Sequence, residues 1–210
     1  MVTDQPGAWF DEVLDGLAEQ DYENLRVLAV ETGSHSVASR VLDKIPDAVV
    51  HQAPDATGFG DAANRVQTLV KGSTFYLFLR DDVALAPSAV TLLVAEALES
   101  NAAILGPKIL DWDDPSRILA MGGTVDAFGV LTPYVESGEL DQQQHDRVRD
   151  AFAVTGAAML VRADLFETIG GFDPRIKSTG EDLDFCWRAQ VAGGRVLVVP
   201  DATVREGGRK

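Results

Sequence analysis

The sequence predicts a single α/β domain, with a mostly parallel central sheet flanked by helices. Three observations predict it. The 210 residues are 46% hydrophobic, enough to bury one sizeable core or two small ones. Helical and strand patterns alternate over the first 110 residues or so. No internal repeat, heptad array or linker divides the chain, so one domain spanning 1–210 is the better reading.

The elements follow in order. Trp9–Ala18 has apolar residues at helical spacing: Phe10, Val13, Leu14 and Leu17. Leu25–Val30 reads as a buried strand that ends in a Gly-Ser turn. A short helix is expected at Val37–Leu42 and a small strand at Ala48–His51. TGFGDAANRVQTLVKG gives a glycine turn, a helix from about Asp61 and a stop at Gly72. Thr74–Leu79 is the next strand, Pro87 opens a helix with a long apolar face, and AAILGPKIL returns as a strand. Strands joined through helices in this way lie parallel.

The second half is less regular. Ile118–Val130 reads as a strand and turn pair, and ESGELDQQQHDRVRD as an exposed or mobile loop. FAVTGAAMLVRADLFETIGGFD gives a strand, a short helix from Ala163 and a Gly-Gly turn. GEDLDFCWRAQVAGG is a helix opened by acids and closed by Gly-Gly, and RVLVVPDATV is a last strand stopped by its proline. Only Val2 and Thr3 precede the polar Asp4–Gly7, so the opening strand is expected to be very short, truncated against the usual first strand of a nucleotide-binding domain.

Composition excludes several classes. The net charge of −15 disfavours nucleic acid and anionic lipid as partners of the overall field. The longest apolar candidates, such as Ala84–Leu98, are interrupted by Pro87 and Glu96, too early for a membrane span. The N-terminus has no basic start and no apolar core of a signal peptide. A lone Cys186 cannot form an internal disulfide, which fits a reducing compartment.

The candidate chemistry sits where strands end. Open α/β sheets bind ligands beyond the carboxyl ends of their strands. Glu31 follows one strand, Asp81 and Asp82 follow another, and Glu181 and Asp182 open a helix. Carboxylates gathered in one crevice need cations to offset their repulsion, and Mg²⁺ or Mn²⁺ bridging to a phosphate suits such oxygen ligands. Each feature has a plainer reading: Asp81 and Asp82 as turn acids, Glu181 and Asp182 as dipole partners, Asp184 and Arg188 as an i,i+4 pair. Gly58 and Gly60 match no phosphate-loop fingerprint, and His35, His51 and His145 show no metal spacing. Asp111–Asp114 around Trp112 reads as a surface turn, and Cys186 with Trp187 as core.

Order and spacing together carry more. WFDEVLDGLAEQDYENLRVLAVETGS, GFGDAANRVQTLVKGSTFYLFLRDDVAL, VTGAAMLVRADLFETIGGFDP and GEDLDFCWRAQVAGGRVLVVPDATV resemble, in sequence, the segments of family 2 glycosyltransferases of the GT-A fold. GPKILDWDDP and GELDQQQHDRVRD resemble an actinobacterial-type branch, in which the domain is often part of a large membrane protein. The resemblance implies a GT-A-like fold, with a nucleotide-binding half over about 1–110 and an acceptor-side half over about 111–210. It implies an inverting, metal-dependent transfer from a nucleotide-sugar donor to a glycan or lipid-linked acceptor, in polysaccharide or cell-envelope biosynthesis. It implies Mg²⁺ or Mn²⁺ as cofactor, and a cytoplasmic place, at the inner face of the membrane where parts outside this sequence provide the association.

By the same resemblance, Asp182 is the general base and Asp82 the metal ligand, with Glu206 as a second ligand where the family commonly has a histidine. Thr3, Glu31, Gly33, Asn64, Arg80 and Asp81 fall on the donor side, and Gly156, Gly171, Phe172 and Glu181 on the acceptor side. Arg80 stands where the branch has an acid or a histidine, able either to pair with diphosphate or to weaken metal binding. Arg80, Glu206 and the short start favour an alternative, a degenerate domain that binds sugar nucleotide or a partner without turnover. A nucleotidyltransferase is the third reading, but no basic glycine-rich triphosphate loop is visible near the start.

Overall fold

The computed structural model describes residues 1–56 and 58–207. Thr57, in the expected glycine turn, lies outside the described residues. The chain begins with β1 (Val2–Thr3), α1 (Phe10–Ala18), β2 (Leu28–Glu31), α2 (Ala38–Lys44) and β3 (Val49–Gln52). These three strands form a small, wholly parallel sheet in the order β1-β2-β3. Phe10, Leu14, Ala29 and Val41 form its core, so the apolar spacing of α1 is the face it buries.

The chain continues through α3 (Phe59–Ala63), α4 (Val66–Leu69), β4 (Phe75–Leu79), β5 (Val83–Leu85), α5 (Ala89–Ser100) and β6 (Ile104–Asp111). The helix expected from Asp61 to Gly72 is thus two short pieces, parted at Asn64–Arg65. After β6 come β7 (Arg117–Ala120), β8 (Gly123–Val125), β9 (Leu131–Pro133), β10 (Glu139–Leu140), β11 (Arg149–Asp150) and β12 (Ala158–Arg162). The chain then forms α6 (Ala163–Thr168), α7 (Glu181–Val191) and β13 (Val196–Glu206).

The expectation of a mostly parallel sheet holds for the first unit and fails for the second. The main sheet runs β10-β7-β6-β12-β4, with β13 beside β6, and only the β6–β13 pairing in it is parallel. β12 enters between β4 and β6 antiparallel to both. The reason lies in the connections. Parallel neighbours need a crossover, usually helical, and no helix stands between β6 and β12. The alternation of the first half therefore does not extend to the second.

Two further expectations change. β13 does not stop at its proline: it continues through Pro200 to Glu206, with a register shift between Val199 and Thr203. Pro200 sits in that irregular stretch, where its missing N–H breaks no ladder bond. The polar 136–150 segment is pinned. Lys108 of β6 is buried, and its ammonium lies 2.9 Å from Asp141 and 2.6 Å from Asp146. Burial pulls the Lys108 pKa down, but hydrogen bonds to Asp146 and Asp141 leave it raised.

The two sheets meet through one bridge, Val2 to Arg80. Below it lies an apolar cavity of about 410 Å³, lined by Leu28 and Val30 on one side and by Phe75–Leu79 on the other. The Met1 ammonium donates to Leu28 O at 2.8 Å, and burial lowers its pKa to about 5. On the opposite face, Phe78, Phe166, Phe172 and Phe185 form an aromatic cluster with ring centres 4.8–5.6 Å apart.

Candidate functional site

The site forms where β4 ends. FYLFL is apolar throughout because β4 lies inside the sheet, and the chain turns at Arg80–Asp82 to return as β5. Arg80 N–H donates to Ala157 O (3.0 Å), just before β12. Asp81 and Asp82 are both buried. Asp81 accepts from Asp4 N–H (2.9 Å), which fixes the loop after β1 against the end of β4. Gly207 N–H donates to Asp82 O (2.7 Å), and Glu206 pairs with Val83, so the end of β13 is fastened beside Asp82.

Acidic side chains stand on two sides of Arg80: Asp82 with Glu206, and Glu181 with Asp182. The guanidinium Nε of Arg80 lies 3.9 Å from Asp82 Oδ1. Burial pushes the Glu206 carboxyl up, Asp82 raises it further, and Arg80 lowers it. Burial likewise pushes Glu181 up, with Asp182 raising it and Arg80 lowering it. Glu181 Oε2 is buried with no hydrogen-bond partner among the described residues. Asp182, in the first turn of α7, accepts from Gly156 N–H (2.9 Å) and Leu183 N–H (2.8 Å). Since Gly156 adjoins Ala157, the partner of Arg80 N–H, α7 opens next to the end of β4. Acids suit that place because the helix N-terminus favours negative charge.

The donor-side candidates divide. Thr3 is buried and in register with Glu31, and Gly33 packs against Asp4 and Gln5, which joins their two loops near Asp81. Glu31 is at the expected strand end, but its oxygens take Ser36 Oγ (3.1 and 3.2 Å), Val37 N–H (2.6 Å) and Gln52 Nε2. Its carboxylate secures the start of α2.

Asn64 has a different task from the expected donor contact. Its amide donates to Phe172 O (2.8 Å) and accepts from Phe172 N–H (2.9 Å), a reciprocal clamp. Gly171 stands at φ +72°, and a Cβ there would meet Asn64 Oδ1 at 2.4 Å, so the clamp requires glycine. Phe172 is wholly buried in the aromatic cluster and cannot touch an acceptor. Gly171, Phe172 and Asn64 hold the chain between α6 and α7 rather than line the cleft.

Two participants carry little sequence signal. Asp4 meets Asp81 across 77 positions, which no local pattern encodes. Gly60 packs under Phe172 (2.8 Å from its would-be Cβ) and Glu181 (3.7 Å), and only its glycine spacing with Gly58 hints at a close approach. The plainer readings hold for Asp184, Asp111 and Cys186, but Trp187, read as core, is half exposed and stands edge-on to Phe152. Asp184 pairs with Arg188 at 2.7 Å, Asp111 caps its own turn, and Cys186 is buried with its thiol pushed up to about 12 by desolvation.

The chemistry of the cleft suits a hard cation only in part. Asp82 and Glu206 offer carboxylate oxygens, and Mg²⁺ is often held by one or two carboxylates plus substrate phosphates. Among the described residues, no three His, Cys, Asp or Glu side chains form a ready metal cluster. The donor set thus fits a site that a bound diphosphate completes. No helix of the described residues is long and apolar enough to cross a membrane.

Fold and cleft together define an α/β domain of the kind found in glycosyltransferases. The crystal structure of GalNAc-T7 with UDP, GalNAc and Mn²⁺ shares the fold, with a TM-score of 0.78 at 15% identity over 100% of this chain and 42% of that one. So does S. aureus TarS, with a TM-score of 0.70 at 17% identity over 99% of this chain and 36% of that one. The chain belongs to the family described as glycosyltransferase like family 2, whose profile matches residues 5–210. It is similar to a pre-mycofactocin glycosyltransferase of Mycobacterium tuberculosis, 28% identical over 150 residues, covering 69% of this chain and 29% of that protein. It is also similar to an N-acetylglucosaminyl-diphospho-decaprenol L-rhamnosyltransferase of the same organism, 26% identical over 232 residues, covering 97% and 73%. The chain therefore spans less than a third of the first of these relatives and about three quarters of the second.

Proposed function

We propose that this domain transfers a sugar from a nucleoside diphosphate donor to a hydroxyl of a glycan or lipid-linked acceptor, with inversion at the anomeric carbon. The observation that carries the reading is the meeting of Asp82, Glu206, Glu181 and Asp182 around Arg80 at the end of β4. Asp182 takes the proton of the acceptor hydroxyl as its oxygen bonds to the anomeric carbon. The bond from that carbon to the diphosphate oxygen breaks, and the nucleoside diphosphate leaves. Gly156 N–H on Oδ2 and Leu183 N–H on Oδ1 hold the Asp182 carboxylate in its orientation. Glu181 stands beside Asp182 to orient the acceptor. Asp82 and Glu206 would hold Mg²⁺ or Mn²⁺, which when bound offsets charge on the leaving diphosphate. Thr3 and Gly33 line the nucleoside side. The diphospho-decaprenol in the name of one relative favours a lipid-linked acceptor, met at the cytoplasmic face of a membrane.

A second reading, a binding domain without turnover, draws on Arg80 standing within 3.9 Å of Asp82. One experiment separates the two. A panel of nucleotide sugars is screened by thermal shift with Mn²⁺ and with chelator, and each donor that binds is assayed for transfer to lipid-linked and free glycans. Transfer supports the first reading. Binding without transfer to any acceptor supports the second.

A further inference from the structure

We propose that the gap between β2 and β4 is a strand-accepting site: it takes an extended, apolar segment of polypeptide that lies ahead of Met1 in the line of β1 and runs parallel to both strands. The filled gap makes one sheet of the two, in the order β3-β2-β1-β4-β12-β6-β7-β10. The site is independent of the transfer reading.

At its upper end the gap already holds one strand. Val2 pairs with Val30 of β2 and bridges to Arg80 at the end of β4, parallel to each. One strand therefore spans the gap there, two strand spacings or about 10 Å across. Below Val2 no described strand is paired between β2 and β4, and the apolar cavity of about 410 Å³ stands in its place. Protein interiors keep few voids larger than a water, whose share of volume is about 30 Å³.

The strand edges on both sides of the cavity point into it. Arg80 N–H donates to Ala157 O and Ala163 N–H to Thr74 O, so Tyr76 and Phe78 turn their backbone bonds to β12. Alternation then aims the N–H and C=O groups of Phe75, Leu77 and Leu79 the other way, toward β2. Among the described residues β4 has no second partner strand along Phe75–Leu79. On β2, Val30 N–H donates to Met1 O and the Met1 nitrogen to Leu28 O, so Leu28 N–H is next in that ladder. A lipid chain in the cavity leaves these donors and acceptors unpaired, which is costly in an apolar setting; an extended peptide pairs them. The cavity walls fix the side chains. Leu17 and Val94 of α1 and α5 cover one face, and Ala63 and Val66 of α3 and α4 the other. A strand covered on both faces is apolar throughout, as β4 is. Since Val2 stands opposite Arg80, Met1 is level with Leu79, and four positions ahead of Met1 reach the level of Phe75.

The test places four residues ahead of Met1 and compares three such extensions with the unextended chain: valine and isoleucine only, glycine and serine only, and valine alternating with proline. The valine–isoleucine chain is expected to melt about 5 °C higher. Its amide exchange at Leu28, Leu77 and Leu79 should slow on the order of 10-fold beyond any slowing at Met159 and Val161, which are already paired with β4. The glycine–serine chain should match the unextended one. Alternating proline excludes a segment from a central strand, so that chain should match it too. Equal exchange at Leu77 and Leu79 in the valine–isoleucine and unextended chains overturns the proposal, whatever the melting temperature does. Lauric acid added to the unextended chain tests a lipid occupant. A melting rise with lauric acid that the valine–isoleucine extension does not reproduce assigns the cavity to an apolar ligand. Protection of the same amides in the unextended chain that grows with protein concentration assigns it to a second copy. Either result overturns the proposal.

Discussion

Two cations in this molecule are each surrounded by carboxylates, and they behave in opposite ways. Lys108 is buried, and its ammonium is within 2.9 Å of both Asp141 and Asp146. Arg80 is part-exposed, and its one charge faces Asp82 at 3.9 Å with Glu181 and Glu206 nearby. At Lys108 two acids meet one cation through hydrogen bonds, and a polar loop is fastened to the sheet. At Arg80 the guanidinium meets Asp82 only at 3.9 Å, and burial pushes the nearby Glu181 and Glu206 carboxyls up. The contrast teaches that charge crowding alone does not mark a site. A buried carboxylate oxygen such as Glu181 Oε2, with no hydrogen-bond partner among the described residues, is the stronger mark, because the protein tolerates that cost where a ligand relieves it.

The largest expected effect tests the structural side. Lys108→Met leaves Asp141 and Asp146 without their cation and should lower unfolding stability by about 3 kcal/mol. Arg80→Met should change it by less than about 1 kcal/mol. Denaturant melts of the two variants check this, and similar losses would erase the contrast. Next comes the chemistry. Asp182→Asn keeps the shape and removes the basicity, so transfer should fall on the order of 100-fold while donor binding changes little. Near-normal transfer in that variant would remove Asp182 from the base role.

A smaller effect concerns the scaffold behind the cleft. Gly171→Ala forces a side chain into a φ of +72° and against the Asn64 amide. It should cost about 1–3 kcal/mol, read by thermal melts, and it should weaken acceptor use more than donor binding, because it loosens the approach to α7.

The smallest effect is in pH dependence, and its sign separates the regions. Glu206 has a raised folded pKa, so ionising it costs the folded state more than the unfolded one. Stability should therefore fall as pH rises from the ordinary carboxylate value of 4.5 through the raised one. Glu206→Gln should flatten that slope and raise the melting temperature at neutral pH. Lys108 has a raised folded pKa of the cationic kind, so its contribution is complete below 10.5 and is lost only as pH climbs through the raised value. A Glu206→Gln chain that keeps the wild-type slope above pH 4.5 would contradict the crowding at Arg80.

Part of this architecture is legible in the amino-acid sequence. The run Thr74–Leu79 reads as a buried strand, and three charged residues at its end mark where it stops. The helix from Glu181 is announced by its acids and closed by Gly193–Gly194. Other features are not legible. Asn64 reads as a ligand contact and is a clamp on Phe172, 108 positions away. Glu31 reads as a base-binding acid and spends its oxygens on the start of α2. The 136–150 segment reads as loose because its anchor, Lys108, lies in a distant strand.

The sequence by itself determined the elements: which stretches are apolar at a period of two or 3.6, where helices open on acids, and which residue types gather at strand ends. These are local properties, set by side chains a few positions apart. Tertiary structure alone decided strand direction after β6, the passage of β13 through Pro200, and the placing of Asp82, Glu206 and Glu181 near Arg80. Each of these is a contact across tens to a hundred or more positions. No local periodicity encodes which distant strand edge or carboxylate a residue will meet, because that is settled only when the layers pack.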